Sequence, residues 1–207
     1  MMSNPNIQPE AMFKLSYGLF VLSTSLNGKD NGCIINTAIQ VTDIPKRLLF
    51  AVNKQNFTNE MIKESGIFAL SVLSEETPFA VFQHFGFQSG RDADKFVGTP
   101  LRCENGVAFV GGVSNAVFAG KIESYQDVGT HTVFIAEVEE ARVLSNVPSA
   151  TYAYYFANIK PKPQPKTEEK KGYVCKICGY VYEGEHLPED FTCPLCKHPA
   201  SDFEPLK

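Results

Sequence analysis

Four cysteines near the end of the chain have the spacing of a metal site. They form two Cys-x-x-Cys pairs, Cys175 with Cys178 and Cys193 with Cys196. Two intervening residues allow a tight turn to present both sulfurs to one ion, and two such turns complete a tetrahedron. A segment below ~40 residues also buries too little apolar surface to be stable without a staple such as a metal. The spacing therefore predicts a four-cysteine metal domain, and the thiolates alone allow zinc or iron.

The residues around these cysteines resemble a rubredoxin. The resemblance rests on CGYVYEG (178–184), PEDFTCPLC (188–196) and DFE (202–204), with Tyr173, Tyr180, Phe191 and Phe203 as a small aromatic core. The gap between the two pairs is short for a free-standing rubredoxin, the chain has no tryptophan, and Lys197 stands where a glycine usually follows the second pair. In these respects the segment is similar to the compact rubredoxin-like module of rubrerythrins.

The rubredoxin resemblance implies a single iron ion that alternates between Fe2+ and Fe3+ and therefore handles one electron at a time. A structural zinc ribbon is the alternative, because both ions accept tetrahedral sulfur. His186 and His198 lie nearby, but four thiolates already fill a tetrahedral site. Both histidines are expected to be surface loop residues.

Composition limits the classes of function that the chain can have. Of 207 residues, 43% are hydrophobic and 20% charged, which suits one ordinary domain plus a small one. Apolar runs stay well below the ~18 residues that span a bilayer, and no secretory signal is evident, so no membrane association and a cytoplasmic location are expected. Two lone thiols, Cys33 and Cys103, agree with a reducing compartment.

Charge points to a protein partner rather than to nucleic acid. The net charge is −4 and no basic stripe is present, which argues against nucleic-acid binding. Residues 172–207 contain three lysines and six acidic residues, a net charge of −3. The small domain should therefore dock on a partner with a basic patch.

Composition also predicts the division of the chain. Residues 159–171 alternate proline and charge with nothing to bury, as expected of a linker. They separate a domain at residues 1–158 from the metal domain at residues 172–207.

The first domain is predicted to be mainly β. Runs rich in β-branched and aromatic residues, bounded by Gly, Pro, Asn or Asp, occur at residues 19–25, 33–35, 48–53, 67–73, 107–110, 116–119 and 132–138. Closure of such strands into a barrel would remove their edges. A few short helices are predicted, at residues 59–64 with a cap from Asn56 or Thr58, and at residues 79–85. A GxGxxG motif is absent from the sequence, which excludes a Rossmann half.

The same domain resembles the FMN-binding split-barrel flavin reductases. The resemblance rests on YGLFVLST (17–24), NTA (36–38), LLFAVNK (48–54), NFT (56–58), SGIFALSVL (65–73), GRDADKF (90–96) and GTHTVFIAEV (129–138). It implies a split β-barrel that closes as a homodimer, FMN near the dimer groove, and a reduced nicotinamide dinucleotide stacked on the flavin.

Three groups of candidate site residues follow from this resemblance. The phosphate of FMN is expected at a turn before a helix, supplied by Asn53, Lys54, Asn56 and Thr58. Ordinary helix capping is the alternative for Asn56 and Thr58. The flavin ring is expected along Asn36, Thr37 and Ala38, which otherwise form a simple strand end. His131 is the candidate for the catalytic nicotinamide contact, although a lone histidine is more often structural.

The two domains together resemble the high molecular weight rubredoxins of anaerobic bacteria. That resemblance implies electron transfer from NADH or NADPH through FMN and iron to a redox protein, a flavodiiron protein that reduces nitric oxide or oxygen. FMN would convert a two-electron donor into a supply of single electrons. The alternative is a flavin or ferric reductase whose tail is a zinc ribbon that docks a protein partner.

Overall fold

The computed structural model describes residues 6, 8–98, 100–161 and 172–206, and within them the protein is mainly β, as predicted. A 3-10 helix at Pro9–Lys14 precedes the first strand. The strands of the large domain are β1 (Phe20–Leu26), β2 (Lys29–Ile35), β3 (Ala38–Thr42), β4 (Arg47–Asn53), β5 (Ile67–Leu73), β6 (Leu101–Arg102), β7 (Ala108–Phe109), β8 (Ser114–Asp127) and β9 (His131–Val143). Its helices are α1 (Phe57–Ser65), α2 (Phe79–Gly86) and α3 (Tyr152–Tyr154), the last continuing as a π-helical turn over Tyr155–Ile159.

Seven of these strands form one antiparallel sheet in the order β2-β1-β5-β8-β9-β4-β3. The sheet curls on itself, because the ring centroids of Phe50 on β4 and Phe68 on β5 are 5.3 Å apart although two strands lie between them. Phe134 on β9 stacks on Phe50 at 5.5 Å, and Leu22 on β1 joins the same buried cluster. The curled sheet around a single core confirms the predicted split barrel.

The curvature has an identifiable cause in the long hairpin of β8 and β9. The register between these strands shifts at Gly120 and again between Ile122 and Ser124, and such bulges bend a sheet. At Gly120 the two backbones approach so closely that a Cβ atom would lie 1.9 Å from the carbonyl oxygen of Glu137. Glycine is therefore required at this position.

The two main helices lie where the sequence predicts, although α1 begins at Phe57 and ends at Ser65 and α2 extends to Gly86. Gly66 follows α1 in the left-handed conformation, with φ 69°, and its N–H donates to the carbonyl of Ile62. α2 begins after Pro78 and includes Gly86 as its last residue. Ile62 is fully buried in the barrel core, so α1 is fixed against the sheet.

The strands agree with the prediction best where apolar residues alternate or run together. β5 has the predicted bounds, and the turn between β1 and β2 is a two-residue hairpin with Asn27 and Gly28 at positive φ. β8 extends far beyond its predicted end, because the largely exposed stretch from Lys121 to Asp127 pairs with β9. Ion pairs of Glu123 with Arg47 and of Asp127 with Lys54 also hold this stretch. The sequence did not predict β3.

The small domain is built around a three-stranded sheet in the order β11-β10-β12. Its strands are β10 (Tyr173–Cys175), β11 (Val181–Tyr182) and β12 (Phe203–Pro205), with a 3-10 turn at Ala200–Asp202. The ring centroids of Phe191 and Phe203 are 5.4 Å apart, and Tyr173 and Tyr180 pack against the same cluster. The predicted aromatic core is confirmed, with Tyr182 as a further member.

The predicted linker lies almost wholly outside the described residues, which omit residues 162–171. The division of the chain at residues 158 and 172 therefore stays a prediction. Across the ranges that the structure describes, no helix combines the length and the apolar character needed to cross a membrane.

Candidate functional site

The four predicted metal cysteines come together in two similar turns. Cys175 ends β10, and its carbonyl accepts a hydrogen bond from the N–H of Gly179 at 2.8 Å. In the second turn the N–H of Lys197 donates to the carbonyl of Cys193 at 2.9 Å. Gly179 and Lys197 both have positive φ, 81° and 60°. Lysine therefore occupies a backbone conformation that glycine adopts more readily.

The sulfur atoms have the separations of a tetrahedral ion site. The Sγ atoms of Cys175 and Cys196 are 3.6 Å apart, those of Cys178 and Cys193 are 3.5 Å apart, and all four lie within 4.8 Å of one another. Bonds of ~2.3 Å to a tetrahedral ion place its sulfurs ~3.8 Å apart. One ion bound by four thiolates therefore fits this four-cysteine cluster.

Backbone amides point at the sulfur atoms. The sulfur of Cys175 accepts from the backbone N–H groups of Ile177 and Cys178. The sulfur of Cys178 accepts from the N–H of Tyr180, and the sulfur of Cys196 accepts from the N–H of His198. Such donors stabilise thiolates and offset the negative charge that a tetrathiolate iron gains on reduction. The arrangement suits an ion that changes its charge.

The thiols of the four-cysteine cluster shift one another's pKa. A hydrogen bond with Cys196 lowers the pKa of Cys178 to about 5, against the opposing effect of burial. The same hydrogen bond raises the pKa of Cys196. Metal binding requires thiolates, so an ion that binds all four sulfurs displaces the protons that they carry.

A cavity of about 310 Å³ lies between the large domain and the four-cysteine cluster. Its aromatic lining comes from the large domain: Phe57, Phe82, Phe85, Phe87, Tyr152, Tyr155 and Phe156. The small domain contributes Ile177, Leu195, Cys196, Lys197 and His198. Of the four cysteines, Cys196 is the one that lines the cavity. The volume and the largely apolar lining are typical of a cofactor site.

One end of the cavity is polar and buried. Asn31 on β2 is 1% exposed, and its Nδ2 donates to Oγ1 of Thr58 at 3.0 Å. Its Oδ1 has no hydrogen-bond partner among the described residues. A Cβ atom at Gly90 would lie 1.9 Å from this oxygen, so glycine is needed to leave room for it. A buried acceptor without a protein partner can accept a hydrogen bond from a water molecule or from a bound ligand.

A buried ammonium group lies at the same end. Lys95 is 6% exposed, and its Nζ donates to the carbonyls of Gly32 at 2.9 Å and Phe85 at 3.1 Å. Burial lowers the pKa of Lys95, and burial raises the pKa of the neighbouring Cys33 thiol. The lysine places a positive charge beside the cavity.

Most of the predicted phosphate-binding residues lie at this cavity. Asn53, Asn56 and Thr58 line it, whereas Lys54 does not and instead pairs with Asp127 at 2.7 Å on the surface. Asn56 occupies the N-cap position without a side-chain hydrogen bond to the helix, and the role of these residues in phosphate binding stays a prediction.

The other predicted flavin residues form a second group around the end of β4. Ala38 lies opposite Phe50 in the sheet, so residues 36–38 flank one side of β4. His131 lies opposite Asn53 on the other side. Neither residues 36–38 nor His131 line the cavity. Their roles at the ring and the nicotinamide also stay predictions.

Several cavity residues were missed by the site prediction. They are Asn31, Lys95, Tyr155 and residues 88–90. The stretch GRDADKF at residues 90–96 was a signal for Gly90 and Lys95, because it belongs to the flavin reductase resemblance. Asn31 gave no signal, since an asparagine near a hairpin turn is usually explained by the turn. His198, expected as a surface loop residue, is half-buried and lines the cavity.

Comparison with known proteins assigns both domains. Residues 12–162 match the family described as flavin reductase like domain, and residues 173–204 match the one described as rubrerythrin, rubredoxin-like domain. A high molecular weight rubredoxin from Moorella thermoacetica is 34% identical, and the alignment covers 95% of this chain and 99% of that protein. The chain belongs to the high molecular weight rubredoxin family.

Two further similarities concern the barrel of the large domain. A ferric-chelate reductase (NAD(P)H) from Archaeoglobus fulgidus is 39% identical over 76% of this chain and 94% of its own length. The crystal structure of an FMN-binding protein from Thermus thermophilus superimposes with a TM-score of 0.62, covering 70% of this chain and 81% of that one. At 15% identity the second similarity shows the fold alone.

Membership in the high molecular weight rubredoxin family gives each site a cofactor class. The flavin reductase domain implies a flavin, and the rubredoxin-like domain implies iron in the four-cysteine cluster. The sulfur separations and amide donors fit the iron. The aromatic walls and the buried acceptor of Asn31 fit a flat, hydrogen-bonding ring system such as a flavin.

Proposed function

We propose that the protein takes hydride from NADH or NADPH onto FMN and passes single electrons through the iron of the four-cysteine cluster to a protein acceptor. The observation that supports this proposal is the shared cavity. Cys196 lines the same cavity as Asn53, Asn56 and Thr58. A bound flavin accepts two electrons as hydride and a tetrathiolate iron accepts one, so the pair supplies the two-electron to one-electron conversion.

The chain offers suitable groups for FMN at the polar end of the cavity. The N-terminus of α1 presents backbone N–H groups that bind a phosphate, and the side chain of Asn56 is not used for capping. Lys95 adds a positive charge, and Asn31 accepts a hydrogen bond from the ligand. The aromatic side chains exclude water from the space between flavin and iron. In this proposal the residues orient FMN and the nicotinamide without a proton transfer.

The second group of residues is proposed to act through a homodimer. β3 is an edge strand whose Ile39 and Val41 are 58% and 41% exposed. In this proposal a second copy of the chain covers this edge and buries residues 36–38 beside the flavin, and His131, on the far side of β4, keeps its proposed contact with the nicotinamide. Ile39→Glu is expected to yield monomers in sedimentation analysis, and an unchanged oligomeric state would contradict this arrangement.

The proposed acceptor is a flavodiiron protein that reduces nitric oxide or oxygen in the cytoplasm. The acidic balance of residues 172–207 favours an acceptor with a basic patch. Electron transfer to such an acceptor should slow as salt rises, because charge steering is screened beyond about 8–10 Å at 0.1–0.15 M salt. A rate that is insensitive to salt would argue against electrostatic docking.

A second candidate function is reduction of ferric chelates by the barrel alone. The 39% identity to a ferric-chelate reductase favours this function, because the alignment covers 94% of that reductase. In that case the small domain would serve as a zinc-bound docking module. A chain that ends at residue 159 separates the candidates and tests the proposed domain boundaries: it should keep flavin reduction but lose transfer to a protein acceptor.

The decisive test is an anaerobic titration of the whole chain with NADH, followed at the flavin and the iron–thiolate absorption bands. Both bands are expected to bleach, and a parallel titration with NADPH shows which donor is preferred. Metal analysis of protein purified without added zinc should find about one iron per chain. Full occupancy by zinc would end the electron-transfer proposal.

A further inference from the structure

We propose that Lys160 is a positioning residue that holds the small domain over the cavity, so that Cys196 faces the flavin site. The inference rests on the proposed function, since it concerns how the two cofactors are brought together. Lys160 starts the predicted linker and directly follows the π-helical turn Tyr155–Ile159, which packs on the large domain. Its partners belong to the small domain.

Lys160 contacts the backbone of the first metal turn. Its Nζ donates to the carbonyl of Lys176 at 3.2 Å and to the carbonyl of Ile177 at 2.9 Å. Lys176 and Ile177 are the two residues between Cys175 and Cys178. One ammonium group therefore holds the segment that presents half of the metal ligands.

The large domain fixes the position of this ammonium group. The backbone N–H of Lys160 donates to the carbonyl of Tyr155 at 2.8 Å, and its Nζ lies 4.9 Å from the ring centroid of Phe156. Tyr155 is buried between aromatic rings, with Phe82 at 4.7 Å, and burial is the main cause that raises its pKa to about 12. The lysine thus projects from a rigid aromatic cluster.

The charge of Lys160 is directed at the four-cysteine cluster. Burial lowers the pKa of Lys160, while attraction by Cys178, Cys175 and Cys196 raises it. Within the described residues no carboxylate forms an ion pair with it. With iron bound, the four thiolates would place a negative charge near this ammonium group. The more negative ferrous state should be favoured by the positive charge of Lys160.

Apolar contacts complete the interface, but they restrict the orientation of the small domain less than the hydrogen bonds from Lys160 do. Phe87 from the large domain packs against the four-cysteine cluster, and Ile177 and Leu195 line the cavity with exposures of 41% and 40%. Apolar contact is non-directional, whereas two hydrogen bonds from one fixed ammonium group define an orientation. A short linker raises the local concentration of the small domain without selecting the face that it presents.

The test uses the holoprotein, with Lys160→Met to remove the ammonium group and Lys160→Arg to retain the charge. Lys176→Met is the matched control, because Nζ of Lys176 bonds to the carbonyl of Ser201 within the small domain. In anaerobic stopped-flow experiments with NADH, all variants should reduce the flavin within twofold of the wild-type rate. Lys160→Met should reduce the iron at least tenfold more slowly, with substantial recovery in Lys160→Arg and none of this loss in Lys176→Met.

Two measurements independent of turnover complete the test. Small-angle scattering of Lys160→Met should show a larger maximum dimension than wild type or Lys176→Met, because the small domain is released. The iron midpoint potential should fall, since a positive charge beside the ferrous state is lost. Unchanged dimension and unchanged iron reduction in Lys160→Met would overturn the inference. Failure of NADH to reduce the wild-type iron would overturn the proposed function, while the scattering result would still decide whether Lys160 holds the domains together.

Discussion

Replacing Lys95 by Met tests whether the polar end of the cavity both stabilises the fold and binds the flavin. Met has a similar length and fills similar space, but it donates no hydrogen bond. Two carbonyl oxygens, those of Gly32 and Phe85, would lose the Nζ donor. Gly32 lies on the edge strand β2, and Phe85 lies in the last turn of α2, where carbonyls have no partner inside the helix.

The expected magnitude follows from these two contacts. A buried acceptor left without a partner costs about 1–3 kcal/mol. Removing a buried charge relieves part of the desolvation cost and so offsets part of the loss. We expect Lys95→Met to lower the free energy of unfolding by about 2–4 kcal/mol, against about 5–15 kcal/mol for a typical domain. The variant should therefore remain folded and measurable.

The assay combines urea unfolding, followed by circular dichroism, with flavin binding followed by fluorescence. Lys95→Met is expected to weaken flavin binding at least tenfold, or about 1.4 kcal/mol. Lys54→Met is the control, because its exposed ion pair with Asp127 is worth about 0–1 kcal/mol. Equal destabilisation by both variants, or full flavin affinity in Lys95→Met, would refute the reasoning.

Three further predictions follow from features described above. Cys178→Ser should abolish iron binding and transfer to the acceptor while NADH-dependent flavin reduction continues, and joint loss of both activities would contradict separate roles for the domains. Gly120→Ala should destabilise the barrel by about 1–3 kcal/mol in thermal unfolding, because its Cβ meets the carbonyl of Glu137; an unchanged Tm would show that the hairpin can relax. Burial lowers the pKa of Lys95, so the unfolded state binds more protons between that pKa and about 10.4. In urea titrations, the free energy of unfolding of wild type minus that of Lys95→Met should therefore rise with pH across this window. If this difference does not change with pH, the lowered pKa of Lys95 does not contribute to stability.

The features that could be predicted from sequence are those with local causes. The metal cysteines follow from spacing alone, and β5 follows from an apolar run, interrupted by Ser71, that starts directly after Gly66. The end of β8 could not be predicted, since its polar residues gain their structure from pairing with β9. β3 is a short, largely exposed edge strand, and the alternation of Ile39, Gln40, Val41 and Thr42 was a signal that the prediction missed.

The composition of the cavity depends on contacts distant in sequence. Asn31 and Thr58 are 27 residues apart, and Lys95 reaches Gly32 across 63 residues. The position of the small domain could not be predicted from sequence either, because a linker rich in proline and charge allows many positions of the two domains relative to each other. The contact from Lys160 had no signal of its own, since a lysine at the start of such a linker is usually solvated.

The interface contact made by Lys160 is with main-chain oxygens rather than with side chains. Recognition of the small domain by Lys160 therefore depends on the backbone shape of a Cys-x-x-Cys turn, and a bound metal would fix that shape. The side chains at positions 176 and 177 matter little for this contact. Evolution could exchange the electron-carrying module for another with the same turn, and the barrel would still accept it. Loss of the metal, by contrast, would erase the shape and with it the interdomain attachment.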